Sequence, residues 1–272
     1  MDKYLVLGNP IGHSLSPSIH SMFAKQTNVQ MSYDKQLVPL NGFNECIDEL
    51  VKKGFKGFNV TLPFKGDAFT KATAVDENAA VSMAVNTIKV DEESNLRGFN
   101  TDGVGLVRDL VDRLGLTLPN SRILVLGAGG AARGIIGSLL GHLPSSIVVA
   151  NRTAEKAEKL VSLFKDSNQR VALDWVSLDS LHNDFDLIIN TTSAGLEGKF
   201  NVIDERVVRN KICYDLSYGA NAVFVLWARN CGASKAIDGL GMLVEQAAES
   251  FLIWHGIRPE TQPVFNELRS RH

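Results

Sequence analysis

Arg122-Ile-Leu-Val-Leu126 runs straight into Gly127-Ala128-Gly129-Gly130-Ala131-Ala132, and a stretch carrying Ile135, Ile136, Leu139 and Leu140 follows. A short aliphatic run closed by glycine reads as a buried strand, and the apolar spacing after it reads as a helix. Between them stands G-x-G-x-x-A. The first glycine permits a tight turn, the second lets a pyrophosphate approach the backbone, and a small third residue lets the helix pack close to the sheet. A pyrophosphate would then sit on unpaired N–H groups at the positive end of the helix. The competing reading is a strand-to-helix turn with no ligand. The strand before the motif and the helix after it favour a dinucleotide, with Gly127, Ala128, Gly129, Gly130 and Ala131 as its cradle.

An NAD-preferring site usually ends its second strand, about 20 residues on, with an Asp or Glu for the ribose hydroxyls. Here Ile147-Val-Val-Ala150 ends in Asn151-Arg152-Thr153. A carboxylate is missing where NAD would want one, and a guanidinium stands where an adenosine 2′-phosphate would lie. NADP is the cofactor this pattern expects. Otherwise Arg152 is a solvated loop residue, and Thr153 caps the helix predicted over 154–164.

Working outward, strands at 122–126, 147–150, 187–190, 212–216 and 234–237 alternate with helices, which predicts a parallel sheet. Upstream, strands are expected at 4–7, 31–38 and 55–61, a helix at 43–53, and a hairpin of 85–90 with 96–99. A helix is read from Ser16, its N-cap, with Pro17 in the first turn. Another spans 102–114 before a break at 115–120. The last residues, 240–255 and 262–269, are helical with no further strand. The fold class is α/β throughout.

The 272 residues are 44% hydrophobic and 21% charged with a mean hydropathy of +0.00, which excludes disordered, collagenous and coiled-coil classes. Lys plus Arg number 28 against 30 Asp plus Glu, a net charge of −2, so the basic excess of a nucleic-acid binder is missing. Cys46, Cys213 and Cys231 are dispersed and odd in number, which predicts buried thiols rather than disulfides or a zinc site. The histidines have no ligand spacing, and no metal is expected. No apolar run approaches the roughly 20 residues of a membrane span, and the start carries no signal-peptide core. Membrane partners are not expected, and the compartment read from this is the cytoplasm.

Several polar residues of the first hundred each have a plain structural reading. In Phe58-Asn59-Val-Thr61-Leu-Pro63-Phe-Lys65, Pro63 is expected to start a helix, and Lys65 falls in a first turn whose dipole opposes a cation. Asp102, in Asn100-Thr-Asp-Gly, reads as an N-cap, Ser14 and Ser16 as cap residues, and Asn86 as a turn residue.

In combination they say more. Asn-Pro-Ile-Gly-His-Ser-Leu-Ser-Pro (9–17), Asn-Val-Thr-Leu-Pro-Phe-Lys (59–65), Ala-Val-Asn-Thr (84–87), Asn-Thr-Asp-Gly (100–103), Gly-Ala-Gly-Gly-Ala (127–131), Asn-Arg-Thr (151–153) and Asp-Gly-Leu-Gly-Met-Leu-Val-Glu-Gln-Ala (238–247) follow one another in the order seen in shikimate dehydrogenases. The chain resembles that family over its whole length. The resemblance implies NADP-dependent reduction of 3-dehydroshikimate to shikimate, in the pathway to chorismate and the aromatic amino acids. It implies a substrate domain of residues 1–101 plus 239–272 and a Rossmann-type NADP domain of residues 102–238. It also implies that Ser14 and Ser16, helped by Tyr218, hold the substrate carboxylate, and that Thr61, Asn86 and Gln246 meet the ring hydroxyls with Asn59 in support. Lys65 and Asp102 match the catalytic pair. Thr192, Leu216, Gly239 and Met242 join the cofactor contacts, the last two where the nicotinamide would lie.

One segment departs from the pattern: Asn221-Ala-Val-Phe224 follows Tyr218 where the family often has Thr-Pro-Phe, and Leu216 replaces a frequent Met. The alternatives are a relaxed quinate/shikimate dehydrogenase, a paralogue with another substrate, and a catalytically silent NADP-binding sensor. Lys65 and Asp102 argue against the sensor, which has no need of both. The expected assembly is a monomer or homodimer.

Overall fold

A computed structural model describes residues 1–165, 170–182, 184–192, 194, 200 and 202–271. The chain forms two contact units, Met1–Gly105 with Val244–Arg271, and Leu106–Leu243.

The first unit is built on β1 (Asp2–Gly8), α1 (Ser16–Thr27), β2 (Met31–Leu37), α2 (Phe43–Lys52) and β3 (Phe55–Val60). The near-continuous aliphatic run of β1 suits a strand buried on both faces, and Leu5 and Leu7 lie in one core with Phe58, Val60, Phe43, Ile47 and Phe64. α3 (Lys65–Lys71), β4 (Ala74–Val75), α4 (Glu77–Ser82), β5 (Thr87–Val90), β6 (Leu96–Phe99) and α5 (Asp102–Arg108) follow. The sheet order is β2-β1-β3-β5-β6-β4. β1, β2 and β3 are parallel, but β5 runs antiparallel to both β3 and β6, so the sheet is mixed.

Several local expectations are corrected. Ser16 is the first residue of α1 and not its cap; Ser14 Oγ instead accepts the Ser16 N–H at 3.3 Å. Pro63 lies in the turn before α3, which starts at Lys65. Asp102 is already helical, and Asn100 Oδ1 takes its N–H at 3.1 Å. The helix expected over 102–114 is α-helical only to Arg108, then continues as a π-turn, Asp109–Arg113. Among the cysteines only Cys213 is buried, while Cys46 and Cys231 are half-buried.

The second unit carries β7 (Arg122–Leu126), α6 (Gly130–Leu140), β8 (Ser146–Asn151), α7 (Ala154–Lys165), β9 (Ala172–Ser177), β10 (Leu187–Asn190), β11 (Ile212–Asp215), α8 (Val223–Asn230) and β12 (Lys235–Ile237). All pairings are parallel, in the order β9-β8-β7-β10-β11-β12. This is the doubly wound order whose direction of winding reverses between β7 and β10, and ligands of such sheets bind outside the strand ends at that reversal. α9 (Leu240–His255) and α10 (Gln262–Ser270) end the chain. Val244 onward belongs to the first unit, where Trp254 Nε1 donates to the Ile88 carbonyl at 3.0 Å. A Cβ at Gly57 would lie 2.5 Å from that nitrogen, which is why β3 carries a glycine there.

Candidate active site

In the first unit, Lys65 Nζ donates to Asp102 Oδ2 at 2.5 Å. The lysine opens α3 and the aspartate opens α5, and their side chains are 23% and 11% exposed, so the pair sits at the surface of a mostly dry wall. Asp102 Oδ1 accepts from Asn86 Nδ2 at 2.8 Å. Asn86 also reaches Thr101 Oγ1 at 2.9 Å and, more distantly, Gln246 Oε1 at 3.4 Å. Asn59 stands one layer behind, buried, with its Nδ2 facing the Asn86 carbonyl, Thr87 Oγ1 and Ser250 Oγ at 3.2, 3.1 and 3.0 Å. Tyr33 OH closes the other end by donating to Asn59 Oδ1 at 2.6 Å. Burial pushes the Tyr33 phenol above its ordinary value, so it remains a donor.

Thr61 follows β3 and packs beside Gly8, where a Cβ would lie 2.5 Å from its Cγ2. The Ser14–Ser16 loop opens α1, with Ser16 buried and Ser14 half-buried. Lys35 Nζ donates to the Gly12 carbonyl in the same loop.

In the second unit, Gly127 has φ +103, and a Cβ on it would meet Thr191 Oγ1 at 2.6 Å and Thr192 Cγ2 at 2.9 Å. Both constraints demand glycine. Gly129 and Gly130 border open space, half-buried Ala128 and exposed Ala131 stand either side, and the first turn of α6 has neither a side-chain cap nor an acid. Its leading N–H groups therefore lack side-chain acceptors, which fits a pyrophosphate. At the end of β8, Asn151 Nδ2 donates to the Thr153 carbonyl at 2.9 Å, and Arg152 is exposed.

The neighbouring strand ends are tied together. Asn190 Oδ1 accepts from Thr192 N and Oγ1 at 3.1 and 2.7 Å, and Asn190 Nδ2 donates to Asp215 Oδ1 at 3.2 Å. Asp215 Oδ1 also receives the Ser217 N–H at 3.0 Å, and burial pushes its carboxyl up to about 6. Gly239 lies flat on this segment: its N–H donates to Ser217 O at 2.8 Å, and a Cβ would sit 2.2 Å from the Leu216 carbonyl. Buried Met242 donates its N–H to Tyr214 OH at 3.3 Å, and Tyr214 in turn donates to Asp109 Oδ2 at 2.6 Å. Tyr218 follows, half-buried, its phenol raised by burial.

Three family models match the chain in sequence order. The shikimate dehydrogenase substrate binding domain covers residues 6–88, shikimate / quinate 5-dehydrogenase 109–210, and the shikimate 5′-dehydrogenase C-terminal domain 239–269. The shikimate dehydrogenase (NADP(+)) of Alkalilimnicola ehrlichii is 48% identical over 270 residues, 98% of each chain. The chain belongs to the shikimate dehydrogenase family. An Ael1 enzyme from Pseudomonas putida has a crystal structure similar to this one at TM-score 0.92, 38% identity and 98% coverage of both chains. A shikimate dehydrogenase solved in complex with NADP+ matches at TM-score 0.88 and 31% identity, covering 100% of this chain and 96% of that one.

Against this family background the hydrogen bonds bring together Lys65, Asp102, Asn86 and Gln246, with Asn59 behind them. They bring Ser14 to Ser16, and Gly127 to Thr192 and Leu216 to Gly239 by close packing. Four buried residues of this wall were given no role from sequence: Thr87, Asn100, Thr101 and Ser250. The first three adjoin Asn86 or Asp102 and carried a signal in that adjacency. Ser250 lies 163 residues from its partner Thr87 and carried none.

Proposed function

We propose that the chain catalyses the NADP-dependent, reversible reduction of 3-dehydroshikimate to shikimate. The observation that carries this reading is the Lys65–Asp102 pair at 2.5 Å, held by an amide whose other edge is fixed internally. Reducing a ring ketone needs a proton delivered to the developing alkoxide by a group within hydrogen-bond reach. The pair holds that proton at Lys65 Nζ or Asp102 Oδ2, within hydrogen-bond reach of one another. NADPH, when bound, supplies the hydride and NADP+ receives it in the reverse direction.

In this reading Ser14 and Ser16, with Tyr218, hold the substrate carboxylate, and Thr61, Asn86 and Gln246 meet the ring hydroxyls. A wall that hydrogen-bonds each hydroxyl rejects analogues lacking one, because its own polar groups would be left unpaired. The cofactor is assigned to the Gly127–Ala131 turn, Asn151–Thr153, Thr192, Leu216, Gly239 and Met242, with Arg152 on the 2′-phosphate. The same reading places the chain in the cytoplasm, as its dispersed thiols lead one to expect.

Replacing Lys65 or Asp102 by Ala lowers kcat for shikimate oxidation by about 10² or more, the scale of a general acid–base group, and leaves KM for NADP nearly unchanged. Steady-state kinetics on the folded variants decide it. Near-wild-type turnover in either variant removes that residue from the chemistry.

A further inference from the structure

Asn86 presents its Nδ2 to Asp102 Oδ1 at 2.8 Å and its Oδ1 to the Thr101 N–H at 3.0 Å. An amide turned over by 180° occupies nearly the same space, but would set an oxygen against the carboxylate. What holds the productive face is the supply of donors on the Oδ1 side. We infer that Thr87 is a positioning residue that fixes the Asn86 amide and through it Asp102 and Lys65. This rests on the acid–base reading of that pair given above.

The argument is one of hydrogen count. Thr87 Oγ1 lies 3.0 Å from Asn86 Oδ1, 2.7 Å from Ser250 Oγ and 3.1 Å from Asn59 Nδ2. Asn59 Nδ2 can only donate, and its Oδ1 is occupied by Tyr33, so the hydroxyl pair must find its acceptors elsewhere. The set closes with Ser250 donating to the Gln246 carbonyl at 3.1 Å and Thr87 donating to Asn86 Oδ1. Thr101 Oγ1 receives one Nδ2 hydrogen and shares its own between Asn86 Oδ1 at 3.2 Å and Gln246 Oε1 at 3.4 Å. Thr87 and Ser250 are both 0% exposed, so water has no access to replace either hydroxyl. A directed chain thus runs from Tyr33 through Asn59, Thr87 and Asn86 to Asp102.

Thr87→Val keeps the shape of a β-branched strand residue and removes only the hydroxyl, while Thr87→Ser keeps the hydroxyl. The test combines shikimate kinetics with hydrogen exchange of the Asn86 side-chain amide followed by nitrogen-15 NMR. Thr87→Val is expected to lower kcat about tenfold with KM for NADP unmoved, and to speed Asn86 amide exchange about tenfold, the effect of losing one buried hydrogen bond. Thr87→Ser restores both. If Thr87→Val does not fold, Thr87→Ala, which removes the same hydroxyl, is read in its place against Thr87→Ser and shows the same pattern. Unchanged kcat and exchange in Thr87→Val, or an equal loss in Thr87→Ser, overturns the inference. A wild type inactive on shikimate would refute the proposed activity, while amide exchange would still decide the role of Thr87.

Discussion

A cation at the first residue of a helix faces the positive end of the helix dipole, and Lys65 occupies that place because Asp102 receives its ammonium. The aspartate is kept aimed by Asn86 on its second oxygen, so neither charge depends on solvent for its orientation. In the proposed function Ser14 and Ser16 act differently, as a remote anchor. Ser14→Ala and Ser16→Ala are expected to raise KM for shikimate more than they lower kcat, since an anchor supplies binding shared by ground and transition states. Because Ser14 Oγ takes the Ser16 N–H, it is Ser14→Ala that also costs about 0.5–1 kcal/mol of stability, measurable by urea unfolding. Unmoved KM in both variants would make the two serines structural. At this scale the sequence mistook the local role of two residues. Asp102 and Ser16 look like caps because Asp and Ser before a helix commonly are; only the fold reveals that Asn100 and Ser14 take the N–H groups instead.

Among elements, the β7–α6 turn and the end of β8 are where the proposed function puts the choice of cofactor. The strand, the glycines and the following helix were legible because a buried aliphatic run and a G-x-G-x-x-A turn have few other uses. β4 and β9 were not foreseen: one has two residues, and the other is an edge strand with no fully buried residue to set a period. Nor was the π-turn at Asp109, which arises from tertiary demand, since Asp109 is wholly buried against Arg113 and Tyr214. Arg152 is exposed, so its bond to a 2′-phosphate is expected at the weak end of charge-assisted bonds, about 1.5 kcal/mol or roughly tenfold. Arg152→Ala should raise KM for NADP by about that factor and leave KM for NAD unmoved; equal effects on both would remove Arg152 from the 2′ position. At the end of β11, the Asp215 carboxyl is raised by burial from 3.8 to about 6. A carboxyl raised in the folded state contributes stability below its unfolded value and loses it as pH climbs through the folded one. Asp215→Asn keeps an Oδ1 for Asn190 and Ser217. Its stability relative to wild type should therefore rise on the order of 2 kcal/mol between about pH 4 and 7. Urea unfolding of both proteins across that range measures it, and a pH-independent difference would contradict it.

For the whole molecule, composition placed the chain among ordinary globular proteins, the alternation of strands and helices made it α/β, and seven ordered motifs placed it in a family that three family models then matched. The return of Val244–Arg271 to the first unit supplies Gln246 and Ser250 to the wall around Asn86. Periodicity foretold those helices but not their destination, because an amphipathic face does not name its partner. The first unit carries the Lys65–Asp102 pair and the polar wall, and the second a turn shaped for a pyrophosphate. The most direct measurement is reduced-nicotinamide absorbance for the wild-type chain given shikimate or quinate with NADP+ or NAD+. The account predicts turnover of shikimate with NADP+, weaker turnover with NAD+ and with quinate. A folded chain that binds NADP+ yet forms no reduced nicotinamide from shikimate would contradict it.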